Sequence, residues 1–154
     1  MDGAELRGIH ILADLTHDQL GELINHGEFL PFAAGHKILN QGERADAMFM
    51  LVKGTVAAYV KGQDGNESHL RTMEAGAHFG EIGLLENGIR TASVRAETNC
   101  RVFRLQRDSF REILQKPELA TPLLHSLSRS LAIRLADITS RFSEARSLKD
   151  AWTV

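Results

Sequence analysis

The sequence is short of the residues that many functions require. It has one cysteine, Cys100, which excludes an internal disulfide, a four-cysteine zinc site and a cysteine-held iron–sulfur cluster within one chain. A lone thiol suits a reducing compartment and is more simply a small core residue than a redox sensor. The seven histidines are scattered, with no His-x-His pair to found the clustered ligand set of a metal-dependent barrel enzyme. There is no Gly-x-Ser-x-Gly elbow either, so the expectation is a protein that is not an enzyme, with no metal site and no cofactor. No stretch reaches the roughly 18 consecutive apolar residues of a membrane span. The opening Met1-Asp2-Gly3-Ala4-Glu5 also lacks an export signal's basic and apolar regions, and a cytoplasmic chain is expected. A net positive charge is missing as well. At a formal net charge of −2 the chain has no overall field to hold nucleic acid.

What is present is the profile of a globular domain: 154 residues, 43% hydrophobic and 25% charged, read as one domain over 1–154. Thr16-His17-Asp18-Gln19 has capping-box form ahead of Leu20, Leu23 and Ile24, which predicts a short helix over about 16–26. From Glu28 to Leu105 the texture is one of short apolar runs: 29–32, 37–39, 48–52, 56–60, 68–73, 91–95 and 101–105. Turn signals such as Lys53-Gly54 and Ala75-Gly76 separate them, and Asp64-Gly65 marks a hairpin. Evenly spaced short strands predict a β-jelly-roll, or double-stranded β-helix barrel, over about 28–105. C-terminal helices over about 108–146 make the fold class α+β. The first is capped by Asp108-Ser109 and runs through Gln115; the second, from about Glu118 to Ala145, tolerates Pro122 in its first turn, with Ser147 to Val154 as a frayed tail. Leu124, Leu127, Leu131, Leu135, Ile138 and Phe142 recur every three or four residues, an apolar stripe that must be covered. The barrel or a second copy of the chain, forming a homodimer, would each cover it.

The chemistry concentrates between Phe79 and Val94. Gly80-Glu81-Ile82-Gly83 is an acid flanked by glycines, where a ligand can approach the backbone and a short helix can begin. Arg90 follows a glycine-containing turn and precedes the small residues Thr91, Ala92 and Ser93, a setting in which a guanidinium can fork onto phosphate oxygens. Together they describe a sugar-phosphate site in which Glu81 accepts from a hydroxyl and Arg90 holds the phosphate. Taken singly, each has a plainer reading: a solvated turn glutamate, and a surface arginine paired with a carboxylate such as Glu81 itself.

The pair stands within a larger pattern. Phe79-Gly80-Glu81, the apolar Leu84-Leu85, and Arg90-Thr91-Ala92-Ser93-Val94, with Gly35, Gly42, Gly54 and Gly76 at strand turns, resemble the cyclic nucleotide-binding domain family over about 15–145. The resemblance implies that Glu81 binds the ribose 2′-hydroxyl and Arg90 neutralises the cyclic phosphate. Gly80, Ile82, Gly83 and Ala92 are implied as backbone neighbours and Thr91 as a side-chain neighbour. The nine-position interval from Glu81 to Arg90 looks like the kinase and channel members of the family. Members that accept cyclic GMP well tend to carry threonine where Thr91 stands, yet channel members with Arg-Thr-Ala-Ser-Val still respond to cyclic AMP. Cyclic AMP is the expected ligand, with cyclic GMP the alternative. In the family the base is capped by the helix after the barrel, for which Arg134, Thr139 and Ser140 are candidates, with apolar walls from Ala58 and Leu70.

The function this implies is a regulatory module that senses cyclic AMP or cyclic GMP and repositions its C-terminal helices to control an output partner or fused segment whose identity is unknown. A ligand-independent barrel that serves as a protein-interaction or dimerisation module is the alternative. DNA is not expected as a partner, because the basic residues Arg129, Arg134, Arg141 and Arg146 alternate with Asp137 and Glu144, and only about ten residues follow the long helix.

Overall fold

The computed structural model describes residues 3–86 and 88–151. Asn87, inside the segment singled out above, and the tail residues 152–154 lie outside them. The apolar runs become strands β1 (Glu28–Phe32), β2 (Lys37–Leu39), β3 (Ala47–Lys53), β4 (Thr55–Lys61), β5 (Glu67–Glu74), β6 (His78–Phe79), β7 (Ser93–Ala96) and β8 (Cys100–Gln106). They form two four-stranded antiparallel sheets in the orders β1-β8-β3-β6 and β2-β7-β4-β5, a jelly-roll barrel. The two-residue β6 is too short to be visible in the sequence. The predicted 91–95 strand starts instead at Ser93, after a bend at Thr91 and Ala92.

Side-chain alternation explains why β3 reads as an unbroken apolar run. Phe49 and Leu51 point into the barrel with Leu39, Val56, Val94 and Val102. Met48 and Met50 point the other way, with Phe103 and Leu105 of β8, into a second core roofed by helices. A strand buried on both faces has no polar face to show. The Asp64-Gly65 hairpin forms as predicted: Gly65 sits at φ +81°, and Asp64 Oδ1 accepts from the Asn66 N–H at 3.0 Å.

The helical roof comprises two 3-10 turns (Gly3–Leu6 and His10–Leu12), α1 (His17–Ile24), α3 (Arg107–Leu114) and the long α4 (Pro117–Ala151); α2 (Glu81–Glu86) lies within the site segment. The Thr16 capping box is complete, with Thr16 and Gln19 exchanging side-chain-to-backbone bonds at 2.9 and 3.2 Å. Asp108-Ser109 does not cap α3. The helix starts one residue earlier, behind Gln106, which makes no side-chain cap bond, while the Arg107 N–H donates to the Asp46 carbonyl at 2.8 Å. The supposed frayed tail is helical as far as Ala151.

Pro122 lies in the second turn of α4, not the first, and supplies no N–H for the Glu118 carbonyl four residues back. That carbonyl accepts instead from Gln19 Nε2 of α1 at 3.0 Å. The same two segments are joined by an ion pair between Glu22 and Lys116 at 2.5 Å.

Only the first half of α4 is covered by its own chain. Leu119, Leu123 and Leu127 are fully buried in the helical core, whereas Leu135, Ile138 and Phe142 are 65%, 56% and 68% exposed. Packing on its own chain therefore accounts for the first end of the apolar stripe only and leaves the far end uncovered.

Candidate functional site

The segment between β6 and β7 is fixed by its glycines. Gly80 adopts φ +84°, and a Cβ there would lie 2.8 Å from Arg90 Nη1 and 3.3 Å from the Ala47 carbonyl oxygen. Only glycine meets both demands. Gly83 lets α2 sit against Ala45, whose Cβ would be 2.4 Å from an added one. The turn after α2 is tied to the stretch before β3 by backbone bonds from Arg90 N–H to the Glu43 carbonyl (2.7 Å) and from Gly42 N–H to the Arg90 carbonyl (2.9 Å).

These ties carry Arg90 inside. Its side chain is buried, with Nη1 donating to the Gly80 carbonyl at 2.7 Å and Nη2 to the Ala47 carbonyl at 2.5 Å. Asp46 is the nearest carboxylate, at 3.8 Å, and is itself exposed. The plain pairing with Glu81 does not occur. Arg90 is a desolvated guanidinium whose pKa burial lowers, held by two carbonyl dipoles.

Glu81, 1% exposed at the first position of α2, is claimed by the long helix. Its Oε1 accepts from Arg134 Nη1 at 2.9 Å, while the buried His78 ring stands 3.6 Å away, too far for a hydrogen bond. Burial pushes the Glu81 carboxyl up, but His78, the backbone amide and Arg134 together outweigh it and hold the group at about 2, against 4.5 for an ordinary glutamate. An acid depressed in the folded state contributes stability that is present above its unfolded value and is lost as pH falls through the folded one. Unfolding free energy should thus decline between about pH 4.5 and pH 2 on this account. Denaturant unfolding across that range should show a shallower decline for Glu81→Gln than for wild type. Equal slopes would mean that the carboxylate is not stabilised as described.

Glu81 and Arg90 open onto one cavity of about 440 Å³ between the barrel mouth and α4. Residues 29–117 match the family described as the cyclic nucleotide-binding domain. The chain belongs to that family. It is 30% identical over 139 residues to the cAMP-activated global transcriptional regulator of Salmonella typhimurium, covering 84% of this chain and 66% of that protein. It is 32% identical over 111 residues to a cAMP-dependent protein kinase regulatory subunit of Emericella nidulans, covering 72% of this chain and 26% of the relative. Among solved structures it is similar to the Thermus thermophilus catabolite activator protein, with a TM-score of 0.81 at 22% identity, covering 88% of this chain and 62% of that one; at that identity the likeness speaks for the fold. The chain thus spans just under two thirds of the transcriptional regulators it matches. Their presence among its relatives runs against the expectation that DNA has no part in its function.

Within this cyclic nucleotide-binding domain, eleven of the thirteen residues read from the sequence line the one cavity: Ala58, Leu70, Phe79, Gly80, Glu81, Ile82, Gly83, Arg90, Thr91, Ala92 and Arg134. Phe79 is held in place by stacking on Phe49, ring centroids 5.4 Å apart. Leu70 reaches the cavity because of a bulge: β4–β5 pairing skips from Ala58↔Arg71 to Tyr59↔His69 and leaves Leu70 unpaired.

Thr139 and Ser140 are the correction. Both are exposed, and the Thr139 hydroxyl donates back to the Leu135 carbonyl of its own helix at 2.8 Å. A helix advances about 100° per residue, so the face that carries Arg134 continues through Asp137, Ile138 and Arg141, and these line the cavity. That spacing from Arg134 was the signal available in the sequence. The inner wall residues Leu39, Met73 and Val94 follow from strand alternation, whereas Arg71 carries no mark in the sequence that sets it apart from the exposed residues of β5.

Proposed function

We propose that this chain is a non-enzymatic regulatory domain that binds cyclic AMP in the Glu81–Arg90 cavity and uses occupancy to bias the placement of α3 and α4. The observation that carries the reading is that a desolvated arginine and a buried carboxylate, set on one glycine-shaped segment, open onto a single cavity of nucleotide size. Glu81 would accept the ribose 2′-hydroxyl, and Arg90, the backbone groups of Gly80, Ile82, Gly83 and Ala92, and the Thr91 side chain would hold the cyclic phosphate. Ala58 and Leu70 would flank the base. Arg134 would face it from α4, with Asp137, Ile138 and Arg141 beside it.

The domain's output follows from what Glu81 now touches. A ribose hydroxyl competes with Arg134 for the same carboxylate, and Arg134 belongs to the helix that must move. A ligand shifts that equilibrium only by its differential affinity for the two placements. Calorimetric titration with cyclic AMP, cyclic GMP and linear 5′-AMP tests the reading. Micromolar or tighter binding of a cyclic nucleotide, with 5′-AMP weak, is the expected result. Absence of any cyclic-nucleotide binding would leave the barrel as an interaction module.

The same proposal includes a homodimer through α4. Leu135, Ile138 and Phe142 stand uncovered at spacings of three and four. Sedimentation equilibrium should show a concentration-dependent dimer that Leu135→Glu with Phe142→Glu converts to monomer. A wild-type chain that stays monomeric at high concentration rejects this seam. We place the protein in the cytoplasm; among the described residues no helix is long and apolar enough to cross a membrane.

A further inference from the structure

A second and larger hollow, of about 650 Å³, adjoins the first and shares Arg71, Arg134 and Asp137 with it. Three parts of the chain supply its walls. His10 and Asp14 come from the second 3-10 turn and the loop after it, Arg71 and His78 from the barrel, and Arg129 and Arg134 from α4.

Its charges do not balance. Arg134 is paired with Glu81, and Asp137 with Arg141 at 3.2 Å, so neither is free for the other groups of the wall. Arg71 and Arg129 have neither a hydrogen bond nor an ion pair among the described residues. Arg71 is also half-buried: desolvation lowers its pKa first, the Arg134 charge lowers it further, and Glu81 only partly opposes them. His78, 6% exposed, adds a buried ring whose Nε2 makes no hydrogen bond and has the Glu81 carboxylate 3.6 Å away. A desolvated cation without an acceptor is unfavourable, and an anion brought alongside relieves it. Against Arg71 and Arg129 the wall sets one further carboxylate, Asp14, which pairs with neither, so a net positive charge is left, and its desolvated member is Arg71.

We propose that this hollow is a second binding site, for a small organic anion that carries at least two negative charges and a hydroxyl group. Arg71 and Arg129 form charge-assisted bonds to the phosphate or carboxylate oxygens, the role to which a planar guanidinium fork is suited. Asp14, the remaining carboxylate of the wall, accepts from the ligand's hydroxyl and disfavours an anion that spreads charge over the whole hollow. The concave shape and the volume, within the range of small-molecule pockets, favour a metabolite-sized ligand over a protein or nucleic-acid surface. A phosphomonoester and a hydroxycarboxylate share this chemistry, and the experiment separates them.

The test is calorimetric titration of the intact chain with glycerol 1-phosphate and with citrate, on wild type, Arg129→Ala and Arg90→Ala. Arg129 is exposed and lines only the second hollow, so its removal should leave the melting temperature unchanged. One of the two probes should bind one-to-one, weaken roughly tenfold or more in Arg129→Ala, and bind Arg90→Ala as it binds wild type. Failure of both probes to bind at millimolar concentration overturns the proposal. So does binding lost in Arg90→Ala but intact in Arg129→Ala, which would put the anion in the Glu81–Arg90 cavity.

Discussion

Arg90→Ala is expected to weaken cyclic AMP binding by roughly 2 to 5 kcal/mol, the range for removing one partner of a buried, hydrogen-bonded charge pair. The magnitude follows from where the guanidinium sits. At 6% exposure it is already stripped of water, so the desolvation that would oppose phosphate binding at a surface arginine has been met during folding. Two of its donors are engaged by the Gly80 and Ala47 carbonyls, which fixes the plane of the fork and leaves further N–H groups for a phosphate. Arg90→Lys should recover part of the loss, since a lysine restores the charge but not a planar fork that can bond two carbonyls and a ligand together. Calorimetry with cyclic AMP reads both variants, and a thermal melt of each separates lost binding from lost folding. An Arg90→Ala protein that binds at wild-type affinity would remove Arg90 from the site.

Leu123→Ala should be the most damaging of the substitutions considered on α4, costing about 2 to 5 kcal/mol of stability. Leu123 is 1% exposed in the core that Met48, Met50, Phe103 and Leu105 share with the N-terminal helices. Truncation there loses the apolar transfer energy and leaves a cavity that packed strands on one side cannot collapse to fill. At about 2 to 4 °C per kcal/mol the drop in melting temperature is easily read. Leu135→Ala is the matched control. It is the same change on the same helix at a position 65% exposed, and it should stay within about 0.5 kcal/mol at concentrations where the chain is monomeric. Equal costs would show that the distal half of α4 is covered within one chain after all.

These two variants mark what the sequence does and does not carry. The barrel was legible because its strands are bounded by glycine turns and its hairpin by Asp64-Gly65, both local signals. The site segment was legible because Gly80, Glu81 and Arg90 are close in sequence and demand their own chemistry. What escaped was set by distant partners. The apolar stripe of α4 is continuous in sequence, and nothing local says that it is buried as far as Leu127 and bare from Leu135 onward. Glu81 and Arg90 look like natural partners nine residues apart, yet the fold brings Arg134 to one and the carbonyls of Gly80 and Ala47 to the other. Thr139 and Ser140 were candidates for the base through the resemblance, and helical phase turned them away from the cavity. The α3 cap failed for a related reason: the Arg107 N–H found its acceptor at Asp46 in the loop before β3, which no local rule anticipates.

Pro122 has a mechanical consequence. By vacating the Glu118 carbonyl it gives α1 a grip on the foot of α4, through Gln19, and the Glu22–Lys116 ion pair adds a second grip on the same spot. His26, just past α1, faces Glu112 of α3 at 3.5 Å, so the clasp reaches across the α3–α4 corner. A swing of α3 and α4 together that left α1 behind would have to break all three contacts, whereas one that carries α1 along breaks none of them. If α4 swings as proposed, its fulcrum is not a bare hinge but a clamped block of residues from either side of the barrel, and the N-terminal segment should travel with it.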